Sequence, residues 1–229
     1  MPVIAESKKE AAIPAPPVEL EINPDSKRGY LFTKRCIDLI GATVGLSILL
    51  VVFIIVGFLI KLEDPKGAIF FSQKRVGKNG KEFNMYKFRS MVSNAEEKLA
   101  ELLKHNETTG AMFKMKNDPR VTKIGRFIRK TSIDELPQLI NVLKGDMSLV
   151  GPRPPLKREV EQYSEYHLQR LLVTPGCTGI WQVSGRSNIG FEEMVELDLY
   201  YIKTRNCKLD IKIILKTVKI VVIPDKSAF

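Results

Sequence analysis

Residues 131–154 read TSIDELPQLINVLKGDMSLVGPRP, a short helix signal with two adjacent carboxylates, Asp134 and Glu135, at its start. Pro137 fits a first helical turn, where backbone N–H groups lack an acceptor in any case. Leu136, Leu139, Ile140 and Leu143 supply one apolar face, and Gly145 after Lys144 suits a left-handed stop. Ser132 and Glu135 have the spacing of a capping box, and Asp134 is an equally good cap. Negative side chains at a helix N-terminus are stabilised by roughly 0.3–1 kcal/mol, so the pair reads either as a structural cap or as chemistry. The stretch closes on Gly151-Pro152-Arg153-Pro154, a stiff loop carrying one arginine.

Working outward, 229 residues suffice for one catalytic domain with appendages. A formal charge of +10 implies an anionic partner: nucleic acid, lipid headgroups or a phosphorylated substrate. Cys36, Cys177 and Cys207 are scattered and odd in number, which suits a reducing cytosol better than a disulfide framework or a CxxC site. With only His105 and His167, histidine-ligated zinc and Ser-His-Asp chemistry are not expected. Any metal should be a hard cation on carboxylates.

Ile37–Ile60 is apolar apart from Asp38. As a helix it would reach roughly 36 Å, more than the roughly 30 Å hydrocarbon core of a bilayer, so a membrane-inserted helix is expected over residues 29–62. Lys34 and Arg35 precede the run, and Lys61, Lys66, Lys74, Arg75 and Lys78 follow it. A single pass would place one positive flank outside, whereas a re-entrant segment keeps both in the cytoplasm. Asp38 lies one turn from Lys34, as in a headgroup-level ion pair. Residues 1–28 hold Pro14, Pro16, Pro17 and Pro24 without an apolar core, so they read as a flexible tail rather than a cleavable signal. Residues 63–223 form the expected catalytic domain, and 224–229 a C-terminal tail.

Within that domain, Ala68–Arg75 and Lys81–Phe88 flank Asn79-Gly80, a hairpin signal. Ser93–His105 reads as an amphipathic helix with a capping box from Ser93 to Glu96, and Asn106–Asp118 as a loop. Thr122–Lys130 is a short basic amphipathic helix of the kind that suits a membrane surface, and it delivers Arg129 to the acidic pair. Leu156–Val173 reads as a polar helix, and Thr174–Gly179 as a glycine-punctuated loop able to approach a ligand. Phe191–Thr204 reads as a helix containing Asp198. Leu209–Val222 reads as another, capped by Asp210, that packs on the domain or lies on the membrane. The fold class expected is α+β: mostly helical, with a small β-hairpin, one N-terminal membrane helix and interfacial amphipathic helices.

Arg129, Arg153 and Arg186 fall in loops or helix ends, and arginine forks match phosphate oxygens. Adjacent carboxylates repel, raising one pKa unless a metal or arginine holds both charged. Such a pair suits attack on phosphorus. It suits glycoside hydrolysis poorly, since that needs carboxyl groups set about 5–9 Å apart across a sugar ring. No helix-turn-helix or aromatic ribbon supports nucleic-acid binding.

From about Lys34 to Ile220 the chain resembles the bacterial sugar transferase family, the monotopic polyprenyl-phosphate phosphoglycosyl transferases. The resemblance is carried by Lys34-Arg35 with Asp38, by Tyr86-Lys87-Phe88-Arg89-Ser90-Met91, and by Asn117-Asp118-Pro119-Arg120. It continues through Thr131–Leu139, Gly151–Pro154, Pro175–Gly179, Gly185-Arg186 and Asp198–Tyr201. It implies transfer of a sugar 1-phosphate from a nucleotide diphosphate sugar, a UDP-sugar above all, to polyprenyl (undecaprenyl) phosphate with release of UMP. This initiates exopolysaccharide, capsule or O-antigen assembly. On this sequence it implies Asp134 as nucleophile forming a covalent phospho-sugar, and Glu135 as metal ligand or acid/base. It further implies magnesium at Asp134 and Glu135, and Lys87, Arg129, Arg153 and Arg186 on phosphates. Asp210 matches a further acidic position of the substrate site, and Asp198 and Asp210 are open to a structural role as well.

The resemblance also implies a bacterial inner membrane location with the catalytic domain on the cytoplasmic face, membrane lipid as surroundings, and downstream glycosyltransferases as partners. Longer members carry a multi-pass domain in front, and the resemblance here implies the short form without it. Members commonly place Ser-Pro in mid-membrane, where this chain has Leu50-Val51; re-entry is still expected, because both flanks are basic and the donor is cytosolic. The alternative, a non-catalytic membrane scaffold, would be marked by loss of the dyad or of Arg153, and both are intact. Nothing in the loops is chemically specific for one sugar.

Overall fold

The computed structural model describes residues 28–102, 115, 118–184 and 189–222. The N-terminal and C-terminal tails, Arg186, and most of the loop expected over Asn106–Asp118 lie outside the described residues, as does the end of the helix expected over Ser93–His105. The described part of that helix is α2 (Ala95–Leu102).

The apolar run forms α1 (Arg28–Glu63), one continuous helix of 36 residues, about 54 Å long at 1.5 Å per residue. It is long and apolar enough to cross a membrane and is the candidate anchor. Asp38, Ala42, Val56, Gly57 and Ile60 are buried, a helical repeat that turns one stripe of α1 toward the rest of the chain. Ile40, Val44, Ile48, Val51, Ile55 and Phe58 lie exposed on the other side. The helix continues through Leu50-Val51, so the chain makes no reversal within the apolar run. Instead both ends of α1 bind the same domain.

At the first end, Arg35 donates to the carbonyls of Val142 (2.7 Å) and Leu143 (2.9 Å), and Lys34 pairs with Asp210 (3.0 Å). Asp38 accepts from Ser148 Oγ and from Leu149 N, both at 2.9 Å. The headgroup-level pair expected between Asp38 and Lys34 therefore gives way to separate buried partners. At the other end, Glu63 accepts from Lys123 N and Ile124 N.

The hairpin forms as its turn signal predicts. β1 (Phe70–Val76) and β2 (Glu82–Phe88) pair antiparallel, Phe70 opposite Phe88 and Val76 opposite Glu82. Asn79 and Gly80 take φ of 56° and 77°, the left-handed region that asparagine and glycine tolerate. The basic helix α3 (Lys123–Lys130) starts at Thr122, whose hydroxyl accepts from Gly125 N. Ile128 is buried with Phe88, Val56 and Ile60, while Phe127 stays 55% exposed.

The organising stretch becomes a 3-10 turn (Ile133–Glu135), α4 (Gln138–Lys144) and a short strand β3 (Ser148–Val150). Gly145, at φ 87°, ends α4 as expected. Ser132, however, is no cap: its backbone is left-handed (φ 57°) and its side chain makes no capping bond. Its N–H bonds Arg129 O instead, so it serves as the left-handed exit of α3, a place usually given to glycine.

The Thr174–Gly179 loop contains a strand the sequence hid, β4 (Gly176–Thr178), which runs parallel to β3. A Cβ on Gly176 would lie 2.0 Å from Gly151 N, so this glycine lets two backbones meet rather than a backbone and a ligand. The single polar helix expected over Leu156–Val173 is broken into α5 (Lys157–Val160), α6 (Glu165–Leu168) and a 3-10 turn at Gln169–Leu172. Ser164 caps α6, and the interruption lets Arg170 turn inward. After α7 (Ile180–Ser184), α8 (Phe191–Thr204) matches its expected span. In α9 (Cys207–Val222), Asn206 rather than Asp210 caps the start by accepting from Leu209 N. Helix α9 packs inward through Ile213, the first of the two placements expected of it, and shows Ile211, Leu215 and Val218 outward.

Candidate active site

The two carboxylates sit where α3, β2 and α4 converge. The left-handed turn at Ser132 swings the chain from α3 into the 3-10 turn, which carries Asp134 into the interior at 7% exposure and leaves Glu135 half-buried. Lys87, near the end of β2, reaches Glu135 with Nζ 2.6 Å from Oε1.

Its register is set by Asn141 of α4, fully buried, which works as a splint on the edge of β2. The Asn141 amide accepts from Tyr86 N (3.0 Å), next to Lys87, and donates to Asn84 O (2.7 Å), three residues before it. Nothing in the sequence pattern singles out Asn141, because an asparagine on an apolar helix face has no spacing signature.

The electrostatics separate the two acids. Burial, with Glu135 close by, pushes Asp134 up to about 6, against the pull of Lys87 and Arg129. Burial also acts on Glu135, but Lys87, Arg153 and Arg75 hold it below the usual carboxylate range. This is the splitting expected of neighbouring carboxylates: one stays ionised and the other is poised.

Arg129 leaves the last turn of α3 beside Asp134. Arg153 lies on the loop after β3 and its charge acts on Glu135. That loop is braced from two sides. Arg75, on β1, donates to Pro154 O (3.1 Å) and Gln73 Oε1 (2.7 Å). It is buried, and its Nε has no protein partner among the described residues. In the sequence, Arg75 has a place only in the basic flank after the apolar run, because nothing local to β1 shows that the chain returns to it at Pro154. Asp198 and Arg170 supply the second brace. They form a fully buried pair, 2.7 Å and 2.9 Å from the same carboxylate oxygen. Arg170 also donates to Tyr163 OH and Arg153 O, and Arg153 N–H donates back to Asp198.

Lys87, Arg129 and Arg153 are therefore gathered around Asp134 and Glu135 as the sequence predicts. Asp210 is not. Buried on α9, its carboxylate accepts from Tyr30 OH (2.8 Å), Lys34 Nζ (3.0 Å) and Tyr201 OH (2.8 Å), and it fastens α1 to α8 and α9. A carboxylate so enclosed braces the fold. Arg186 lies outside the described residues.

A helix long and apolar enough to cross a membrane, an acidic pair just ahead of a short helix, and cations converging on that pair make this the candidate active site. Residues 29–224 match the family described as bacterial sugar transferase, and the chain belongs to that family. It is 53% identical over 86% of its length to the galactosyl transferase CpsE of Streptococcus agalactiae. It is 46% identical, again over 86% of its length, to the undecaprenyl-phosphate galactose phosphotransferase of Salmonella typhimurium. The chain spans less than half of those two proteins, 44% and 42%. It covers 83% of the exopolysaccharide production protein ExoY of Rhizobium meliloti, at 39% identity over 81% of this chain.

Proposed function

We propose that the chain transfers a sugar 1-phosphate from a UDP-sugar to undecaprenyl phosphate, with Asp134 as nucleophile. The observation that carries this reading is Asp134 itself: a buried carboxylate, ionising near neutrality, ringed by Lys87, Arg129 and the Arg153 loop. In the first half-reaction Asp134 Oδ attacks the phosphorus bearing the sugar. The bond to the bridging oxygen breaks, and UMP leaves with that oxygen and its electron pair. In the second, an oxygen of undecaprenyl phosphate attacks the same phosphorus, and the Asp134 acyl-phosphate bond breaks to regenerate the carboxylate.

Lys87 and the arginines hold the charge that moves onto the leaving phosphate. Glu135, kept anionic by Lys87, orients that ammonium. Magnesium is bound through one or two carboxylates plus substrate phosphates. Asp134 and Glu135 offer that donor set, and among the described residues no larger acidic cluster does. Bound there, the ion would neutralise diphosphate charge. The names of the galactose relatives make UDP-galactose the first donor to test.

The same reading places both ends of α1 on one membrane face, because Arg35 and Glu63 hold one domain. That face is the cytoplasmic side of the bacterial inner membrane, where nucleotide sugar resides, with Phe127 of α3 and the outer face of α9 toward lipid. Downstream glycosyltransferases would then receive the lipid-linked product at that surface. The deciding experiment uses the full chain in membranes with UDP-galactose and magnesium but no lipid acceptor. Wild type should release UMP and trap phospho-galactose on Asp134, and Asp134→Asn should do neither. Full UMP release by that variant would overturn the assignment. A cysteine near residue 10 should react only after permeabilisation of intact cells; labelling from outside would overturn the topology.

A further inference from the structure

Gln138 opens α4, and the transfer reaction as set out above gives it no part. It is buried to 4% exposure, yet among the described residues its side-chain amide has no hydrogen-bond partner. Buried amides ordinarily find partners, because an unsatisfied one keeps its desolvation cost. Asn141, one turn further along the same helix, is bonded to β2 through both of its amide atoms. Among the described residues, one other buried polar side chain takes no hydrogen bond from another residue: Asp134, four positions earlier. The Gln138 amide is also not sealed in, because solvent still touches it.

The backbone places that amide beside the dyad. Leu136 N bonds Ile133 O, Leu139 N bonds Leu136 O and Ile140 N bonds Pro137 O, so the chain is wound three residues to the turn from Ile133 to Ile140. Residues three apart in such a winding eclipse, about 6 Å apart along the axis, and they still share a face in the α-helical turn that follows. Glu135, Gln138 and Asn141 therefore form one row. Glu135 meets Lys87 (2.6 Å) and Asn141 meets Tyr86 N (3.0 Å), so the residue between them faces β2 beside Lys87. At 4% exposure the opening suits a small group, such as a phosphoryl oxygen, better than a sugar ring. The amide is neutral, so it supplies a donor there without adding to the charges of Lys87, Arg129 and Arg153.

We propose that Gln138 is a further catalytic residue, whose Nε2–H donates to a non-bridging oxygen of the phosphoryl group as that group joins Asp134. The proposal rests on the transferase reading above and adds a substrate-binding residue to it. In the free chain the amide stays unbonded, and its bond forms with the transferred group.

The test compares wild type, Gln138→Met, Gln138→Glu and Asp134→Asn as full chains in membranes with UDP-galactose, undecaprenyl phosphate and magnesium. It reads UMP release at saturating donor, the KM for donor, and the Tm without substrate. Gln138→Met keeps the length of the side chain and gives up the donor. Its kcat should fall about 10²-fold, as when one donor to a developing oxyanion is removed, with KM changed far less. Its Tm should equal or exceed that of wild type, because the free chain loses no bond. Gln138→Glu has the same shape with an acceptor in place of the donor, and its kcat should fall at least as far. An unchanged kcat in Gln138→Met would overturn the proposal. So would a rise in KM alone, which marks a contact with sugar or nucleotide, or a Tm that drops in step with activity, which marks a structural role. UMP release by Asp134→Asn at the wild-type rate would instead overturn the nucleophile assignment, so the two failures are told apart.

Discussion

Glu63, the last residue of α1, accepts from Lys123 N at 2.7 Å and thereby caps α3. With Arg35 on the C-terminal carbonyls of α4, the apolar helix holds the outer ends of both helices whose inner ends meet at Asp134. Removing the cap should loosen α3 and with it Arg129. Glu63→Ala is expected to lose about 1 kcal/mol of stability, read as a lower denaturation midpoint, together with reduced UMP release. Glu63→Gln keeps an acceptor oxygen and should recover much of both. Unchanged stability in the alanine variant would mean that Thr122 alone suffices as the cap.

Asn141 should be costlier to lose than its size suggests. Truncation to alanine strands Tyr86 N–H and Asn84 C=O at a part-buried strand edge, where an unsatisfied group costs up to about 1–3 kcal/mol. A loss of about 2–3 kcal/mol in denaturant unfolding is expected, with Lys87 no longer held in register. Asn141→Asp keeps the acceptor but not the donor, and should fall between alanine and wild type.

How far the sequence could show these arrangements follows from the range over which its signals act. Local devices were readable: the Asn79-Gly80 turn, the Gly145 stop, the basic face of α3 and the full span of α8 are each written in a few adjacent residues. The gathering of Lys87, Arg129 and Arg153 about the dyad came from motif order. What stayed hidden depends on tertiary partners. Glu135 faces Lys87 across 48 positions and Asp210 faces Tyr30 across 180. β4 is a three-residue strand that exists only because β3 lies beside it. Ser132 misled because capping spacing is also compatible with a helix exit, and only the path of α3 decides between them. Leu156–Val173 misled because polar helical residues say nothing of a buried Arg170 that the chain must bend to accommodate.

The pH dependence of Asp134 ties stability to chemistry. Burial first, then Glu135, raises its pKa from 3.8 to about 6, despite Lys87 and Arg129. Between those values the folded chain keeps a proton that the unfolded chain has lost. The stability from the protonated form is therefore complete below 3.8 and lost as pH rises through about 6. Asp134→Asn has no proton to lose. Its stability should equal or exceed that of wild type by a margin that grows over this window to about 2–3 kcal/mol above it. UMP release by wild type should climb over the same range as the nucleophile ionises. Asp198, also near 6, is present in both proteins and cancels in the difference. An Asp134→Asn protein less stable than wild type at pH 8 would contradict the environment described for this residue.

Asp198 and Arg170 invite the opposite experiment. Burial lifts Asp198 to about 6, Arg170 and Arg153 act against it, and the ion pair has almost no exposure to water. Removing one partner leaves the other charged and unpaired, which typically costs 3–5 kcal/mol. Asp198→Asn should be hurt least among single changes, since an amide still accepts from Arg170 and Arg153. Asp198→Leu and Arg170→Met should each destabilise strongly. Their combination should be more stable than either, because two apolar side chains of similar volume can replace a buried pair. The combination also removes the hold on the Arg153 backbone, so restored folding should not restore transfer. Recovered Tm with UMP release still weakened at saturating donor would identify the pair as positioning residues for the Arg153 loop. Recovered activity would leave them a role in stability alone.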